Sequence, residues 1–263
     1  MRTDILQELE RIVRLAGNLV REAHDIEQVT TEKTGAADLV TKYDVAVQGL
    51  LKRELLTLLP EADFFGEEGE HAALTRPWTF IVDPIDGTTN FVRRLHYSNI
   101  SVALAHDGQV EYAVVYDPFA DELFSARRGC GAFVNGESIH VSEAKCLADC
   151  LVDVGTNPSE REMADRTFRW LRAVYDRCHD IRRVGAASVD LCYVAAGRLD
   201  AYMEIGLKPW DYAAGLLIVQ EAGGAVVTVD GGAPSLKTGS GILGTNGAVT
   251  QELLTVLCQT ANG

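Results

Sequence analysis

Residues 80 to 90 read Phe80-Ile81-Val82-Asp83-Pro84-Ile85-Asp86-Gly87-Thr88-Thr89-Asn90. An apolar run ends on two carboxylates three residues apart, and Gly87 with two hydroxyls follows at once, the composition of a helix start. The pattern is that of a buried strand entering a helix through a short polar junction. Carboxylate oxygens are hard ligands for a divalent cation, and the backbone N–H groups that open a helix suit a phosphate. A plain N-capped helix reads the same residues, since Asp and Thr are favoured there and Asp-Gly is a common turn. One cap, however, needs one carboxylate. Asp83 and Asp86 share the junction and Glu67-Glu68 lie upstream after Gly66; four acids near one place repel unless a cation holds them.

Upstream, Ile5, Leu6, Leu9, Ile12, Val13, Ala16, Leu19, Val20 and Ala23 fall on one stripe at helical spacing, which predicts a first helix over about residues 3 to 28. A second helix is predicted from Thr41 or Asp44 through Val47, Leu50, Leu51, Leu55 and Leu58, stopped by Pro60. Between them, residues 29–40 read as a loop or hairpin that holds Lys33. Downstream, strands are predicted at 100–105, 110–116 and 122–125, with Asp107-Gly108 as a tight hairpin turn and Asn135-Gly136 as another. Past residue 145 the rhythm alternates, with strands near 151–154, 181, 199–203, 226–229 and 242–243 and helices near 160–177, 187–196, 211–222 and 250–257. This predicts an antiparallel α+β half, residues 1–145, followed by an α/β half, residues 146–263.

The 263 residues suffice for one large domain or two that share a cleft. Lys and Arg number 24 against 38 Asp and Glu, a net −14 that argues against nucleic acid or an anionic membrane as partner. Such a charge sits oddly with a phosphorylated substrate, unless several acids ligate cations, which reverse the local field. The six cysteines show no C-x-x-C and no zinc-spaced His pair, and read as reduced, mostly packed thiols. The charged, amphipathic N-terminus is unlike a signal peptide and no run reaches transmembrane length, so cytoplasm is the expected compartment.

Gly66-Glu67-Glu68, the stretch from Asp83 to Asn90, and Trp210-Asp211-Tyr-Ala-Ala-Gly215 resemble, in order and spacing, the three motifs of the inositol monophosphatase family of metal-dependent, lithium-sensitive phosphatases. Lys33 before Asp38-Leu39-Val40-Thr41 agrees, as does Val184-Gly185-Ala186-Ala187 leading to Asp200-Ala201-Tyr202-Met203-Glu204. The resemblance implies a layered α-β-α-β-α sandwich of the sugar phosphatase type, with the active site between the two halves, and a homodimer.

It also implies roles. Glu67, Asp83 and the Ile85 carbonyl would hold one Mg²⁺, and Asp83, Asp86 and Asp211 a second; a weaker third would sit near Glu67 largely through water. Magnesium suits monoester hydrolysis because it takes carboxylate oxygens and keeps water in its shell. The phosphate would rest on the N–H groups of Gly87 and Thr88. Two groups compete to activate the water: Thr88 passing a proton toward Asp44, and Glu67 itself. Gly185, Ala186 and Ala187 would line the substrate ring, and Glu204 would bind sugar hydroxyls, with Thr156 at the rim. Lys33 and Glu68 are accessory candidates. Each residue also has an ordinary reading: Asp211 and Asp44 as helix caps, Glu68 as a surface acid, Lys33 as a solvated lysine. The histidines at 24, 71, 96, 106, 140 and 179 match no motif and read as structural or surface residues.

The activity expected from the resemblance is Mg²⁺-dependent hydrolysis of phosphate monoesters, with a myo-inositol monophosphate, a small phosphorylated polyol, as substrate. Fructose-1,6-bisphosphatase, histidinol-phosphatase and adenosine bisphosphate nucleotidase are the alternatives on one scaffold. A different class is a family member that binds the transcription machinery, for which Arg166, Arg169, Arg172, Arg177, Arg182 and Arg183 offer a basic stretch. Interspersed Glu162, Asp165, Asp176 and Asp180 favour a solvated helix face instead.

Overall fold

A computed structural model describes residues 4–35, 38–69, 74–158 and 160–261. Helix α1 (Ile5–Arg21) starts where the Asp4 side chain accepts the Leu6 N–H, and it buries Leu9, Ile12, Val13, Ala16 and Val20 from the predicted stripe. It stops about two turns short of the expected end, followed by a 3₁₀ turn (Ile26–Val29). Asp25 has φ 53°, a left-handed value that no α-helix continues. The Tyr43 hydroxyl then bridges the N–H and the carbonyl of His24, tying that broken end to the next helix.

Strands β1 (Thr30–Gly35) and β2 (Asp38–Thr41) form the antiparallel hairpin, and α2 (Lys42–Leu58) follows. Next come β3 (Asp63–Gly66), β4 (Trp78–Asp86), α3 (Thr88–Val92), β5 (Asn99–His106), β6 (Gln109–Asp117), β7 (Glu122–Arg127), β8 (Ala132–Val134) and β9 (Glu137–Ile139). These seven strands, β3 to β9, pair in chain order. Asp107-Gly108 and Asn135-Gly136 have positive φ at all four residues, the geometry of two-residue hairpin turns. Antiparallel pairing was expected throughout this half; β3 instead runs parallel to β4.

The second sheet, in the order β11-β10-β12-β14-β13, is mixed. Its elements are β10 (Leu151–Val154), α4 (Ala164–Tyr175), β11 (Asp180–Arg182), α5 (Ala187–Ala195), β12 (Ala201–Leu207), α6 (Pro209–Glu221), β13 (Ala225–Thr228), β14 (Ser240–Thr245) and α7 (Thr250–Ala261). β10 pairs in parallel with β11 and β12, while β14 runs antiparallel to β12 and β13.

Alternation along the strands builds the layers. Phe80, Val82, Ile100, Val102, Leu104 and Val114 pack toward α1 and α2. Their neighbours Ile81, Ala103, Ala113, Val115 and Phe124 pack toward α5 and α6, which also meet Tyr202 and Ile242 of the second sheet. Trp170 and Val174 of α4 and Leu253 and Val256 of α7 cover that sheet's outer face. The result is an α-β-α-β-α sandwich in which α5 and α6 form the middle layer. No helix among the described residues is long and apolar enough to cross a membrane.

The thiols are less packed than expected: Cys150 and Cys192 are buried, but Cys130, Cys146 and Cys258 are exposed and all six are free. The exposed three lie in a turn between strands, in the segment before β10 and near the end of α7, positions that periodicity does not separate from packed ones.

Candidate active site

The end of β4 carries a β-bulge. Asp83 faces Ser101 and Asp86 faces Asn99 on β5, so Pro84 and Ile85 together stand opposite Ile100. Residues three apart on a regular strand point to opposite faces; the extra residue returns Asp86 to the side of Asp83. Both are buried, at 2% and 8% exposure. On the other edge of β4, the Glu67 N–H donates to the Val82 carbonyl at 3.1 Å, which sets Glu67 beside Asp83. The turn beyond is clamped by Gln48 of α2, whose amide accepts the Glu68 N–H and donates to the Glu68 carbonyl.

Asp211 enters from the first turn of α6, where its Oδ2 accepts the Lys208 N–H at 2.7 Å. Asp44 comes from the first turn of α2, where its Oδ2 accepts both the N–H and the hydroxyl of Thr41, at 2.8 and 2.6 Å. Both are therefore helix caps as well as members of the group. Asp44 Oδ1 is buried with no hydrogen-bond partner among the described residues.

These acids act on one another. Burial raises the Asp83 carboxyl well above the usual carboxylate range, and the charges of Glu67, Asp86, Asp211 and Asp44 add to it. Burial raises Asp211 likewise, with Asp86 next and the Lys208 N–H opposing. Asp86 is raised by burial but restrained by donors: the Ser188 N–H and hydroxyl and the Asn99 amide all reach its Oδ2. Among the described residues no three His, Cys, Asp or Glu side chains already close on a single point as a finished metal centre does. What the fold assembles is a mutually repelling set of oxygen donors with one orphaned buried oxygen. That donor set fits a hard divalent cation, which would remove the repulsion.

Gly87 forms the turn into α3 with φ 82°, and a Cβ there would stand 3.0 Å from the Ala186 Cβ and 3.0 Å from the Tyr97 carbonyl. No side chain fits this seat. The Thr88 hydroxyl donates to the Ile85 carbonyl at 3.1 Å.

At the far rim, Glu204 Oε1 accepts the Asn157 N–H and Oε2 accepts the Tyr202 hydroxyl, at 2.9 and 2.7 Å. A side chain at Gly155 would strike this carboxyl. Gly185, Ala186 and Ala187 border Gly87, held by the Asn90 amide, which donates to the Val184 and Gly185 carbonyls. The β1 backbone at Lys33 is ordered into the hairpin, but its side chain and all of His71 lie outside the described residues. His96 stacks on Phe119, and His106 packs against Trp78 with the rings tilted at 39°.

Several site residues escaped the sequence reading. Ser188, Asn99, Tyr97 and Asn90 position others through contacts spanning up to 102 residues, and no local spacing signals such a bond. Arg183 was grouped with the basic stretch, yet it differs from its neighbours. Arg172 pairs with Asp176, Arg182 with Asp180, and Arg166 lies over Trp170. Arg183 turns to the rim, where Nε and Nη2 donate to the Thr156 hydroxyl at 3.2 and 3.1 Å.

Residues 1–262 match the inositol monophosphatase family. The chain is 39% identical over 245 residues to an inositol-1-monophosphatase of Rhizobium meliloti (strain 1021), covering 92% of each. It is 38% identical over 246 residues to the Nus factor SuhB of Escherichia coli (strain K12), covering 93% of this chain and 92% of that one. Among solved structures, an IMPase/NADP phosphatase complexed with Mg²⁺ and phosphate superposes with a TM-score of 0.82 at 28% identity, covering 96% of this chain and 92% of the other.

Proposed function

The chain belongs to the inositol monophosphatase family, and from this premise we propose that it hydrolyses phosphate monoesters with Mg²⁺, its substrate being a myo-inositol monophosphate. One observation carries the reading: Glu67 after β3, Asp83 and Asp86 at the end of β4, and Asp211 on α6 interact as one group beside a left-handed turn in which any side chain but glycine would be strained. Glu67, Asp83 and the Ile85 carbonyl would hold one ion, and Asp83, Asp86 and Asp211 another. Bound there, a divalent cation supplies positive charge against the phosphoryl oxygens and makes water a better nucleophile at neutral pH.

The chain's own residues do the rest. The Gly87 and Thr88 N–H groups offer a seat to the phosphate, which Gly87 admits by lacking a Cβ. Thr88 has a hydroxyl that can rotate from Ile85 to carry a proton, and Asp44 has a buried oxygen free to accept one. Glu67 is the alternative base. Glu204 keeps lone pairs beyond its two bonds and can accept from polyol hydroxyls at the rim. The test is phosphate release from inositol 1-phosphate with and without Mg²⁺; no release in Mg²⁺ would end this reading.

A second substrate is favoured by Arg183. Among the described residues it bonds the Thr156 hydroxyl and forms no ion pair within 4 Å, although its charge reaches buried Glu204 and Asp153, and its Nη1 crowds Gly185, which in turn borders the Gly87 seat. A cation one residue beyond the phosphate seat suits a second anionic group, as in fructose 1,6-bisphosphate. Side-by-side kcat/KM for that ester and inositol 1-phosphate decides between them. A role in transcription, suggested by the name of the SuhB relative, has less support here, because half of the basic stretch is spent on neighbouring acids and a ring: Arg172 on Asp176, Arg182 on Asp180 and Arg166 on Trp170. Failure of RNA polymerase to co-purify with the protein is the expected result.

A further inference from the structure

Two acids outside the proposed metal-binding group are buried side by side. Asp153 on β10 is 0% exposed; its Oδ1 accepts the Val154 N–H at 2.8 Å, and its Oδ2 has no hydrogen-bond partner among the described residues. Asp190 on α5 is 1% exposed; its Oδ1 accepts the Tyr97 hydroxyl at 2.6 Å and its Oδ2 accepts the Ala186 N–H at 3.2 Å. The two carboxyl groups lie within hydrogen-bonding contact of each other. Two ionised carboxylates have no hydrogen to place in such a contact, and buried like charges do not stay together. One proton between them removes both difficulties and gives the orphaned Oδ2 a donor.

We infer that Asp153 and Asp190 share a single proton, and that the protonated pair positions rim segment 184–187 against the Gly87 turn. The segment is gripped through its backbone from both sides. Asp190 of the pair takes the Ala186 N–H at 3.2 Å, while Asn90 donates to the Val184 and Gly185 carbonyls at 3.0 and 3.2 Å. Tyr97 completes the circuit: its hydroxyl holds Asp190, and its carbonyl lies against the space a Cβ at Gly87 would need. Separation of the two acids therefore reaches the phosphate seat through one side chain and the rim through the Ala186 N–H bond.

The other titratable groups whose charges meet the pair are Tyr97, Asp86, Tyr202 and Cys192, none of them a cation, with Arg183 alone acting to favour ionised Asp153. Burial raises both carboxyls above the usual range, and on Asp190 the Asp153 charge adds to it. A carboxyl raised in the folded state loses its contribution to stability as pH climbs from the ordinary carboxyl value through the raised one. The alkaline side is thus where the pair separates and the rim loosens.

Asp153→Asn tests this, because its amide donates to Asp190 at every pH while its oxygen keeps the backbone N–H bonds. Three measurements are made on purified protein: melting temperature against pH from about 6 to 9, the carboxylic-acid C=O band in the infrared, and KM against kcat for inositol 1-phosphate. The wild type is expected to lose melting temperature and gain KM toward alkaline pH. Asp153→Asn should make both curves shallower, lower the carboxylic-acid absorbance in the variant-minus-wild-type difference spectrum and keep KM within about twofold at neutral pH. Asp153→Ala should raise KM about tenfold with kcat nearly unchanged.

The kinetic arm rests on the phosphatase reading, whereas melting and infrared do not. A protein with no phosphatase activity would sink that reading and leave the proton pair to be judged by the other two. Unaltered pH dependence of melting in Asp153→Asn, or a carboxylic-acid absorbance equal to that of the wild type, overturns the shared proton. Unchanged KM in a folded Asp153→Ala, or equal losses in kcat and KM, overturns the positioning role; should that variant not fold, the pH dependence of KM in Asp153→Asn decides.

Discussion

Ser188 donates both its backbone N–H and its hydroxyl to one oxygen of Asp86, at 2.7 and 2.5 Å, across 102 residues of chain. The Ser188 hydroxyl also reaches Asn99 Oδ1 at 2.6 Å, and Asn99 in turn donates to Asp86. An acid on the first sheet is thus aimed by a residue on the middle helical layer.

Ser188→Ala removes the hydroxyl from a fully buried position. Loss of one partner of a buried carboxylate is expected to cost ~1–3 kcal/mol of stability. Residues that orient ligands typically alter metal affinity by about 10–100-fold. The Mg²⁺ concentration for half-maximal activity should therefore rise, and an unchanged Mg²⁺ titration would argue that Asp86 is not a ligand.

Asp83→Asn should lower turnover by about three orders of magnitude or more, since two proposed ions share that residue. It should also relieve repulsion from Glu67, Asp86 and Asp211. In chelator at neutral pH the variant is expected to melt above the wild type, while Mg²⁺ should raise the melting temperature of the wild type alone. Equal Mg²⁺ stabilisation of both proteins would contradict the shared-ligand role.

Gly87→Ala forces a side chain into φ 82° and against Ala186 and Tyr97. The strain is expected to reach ~1–3 kcal/mol, with activity falling further than stability because the phosphate seat itself moves. Activity retained at the wild-type level in a folded variant would place the phosphate elsewhere.

Burial holds the Glu204 carboxyl above its usual value, opposed by Tyr202 and the Asn157 N–H. Its contribution to stability is present below the ordinary glutamate value and is lost as pH rises through the raised one. Glu204→Gln should flatten that part of the melting profile and raise KM for inositol 1-phosphate, with little change for an aryl phosphate that has no hydroxyls to bind. Matching losses on both esters would remove Glu204 from the sugar-binding role.

Burial pushes the Cys150 thiol up to about 12, and Cys192 is raised well above its usual value for the same reason. A thiolate is the reactive form, so alkylation near neutral pH is expected at exposed Cys130 and Cys258 and not at these two. Peptide mapping after alkylation checks the order.

Local chemistry made much of this protein legible. Periodicity located α1 and α2, positive-φ dipeptides located two hairpins, and the run into Asp83 announced a strand, an acidic junction and a helix. The Glu67, Asp83, Asp86 and Asp211 motifs could be picked out because each is a short pattern of residue types with a chemical reason. Boundaries were less legible: α1 stops at Arg21, and the left-handed Asp25 and a Tyr43 bond from the following helix fix the turn beyond it, neither of which periodicity carries.

By itself, then, the sequence determined most element types, since these depend on neighbours along the chain, while the layered class and the grouping of acids into a site came as expectations from the family resemblance. The tertiary structure decided the rest: the bulge that turns Asp86 to the side of Asp83, the aim of Asp86 by Ser188, the Asp153–Asp190 contact, and the placement of Arg183 at the rim and not among its helical neighbours. Each of these depends on groups brought together from distant parts of the chain. Their energies arise only once folding removes water from between them, and no pattern of adjacent residues records that.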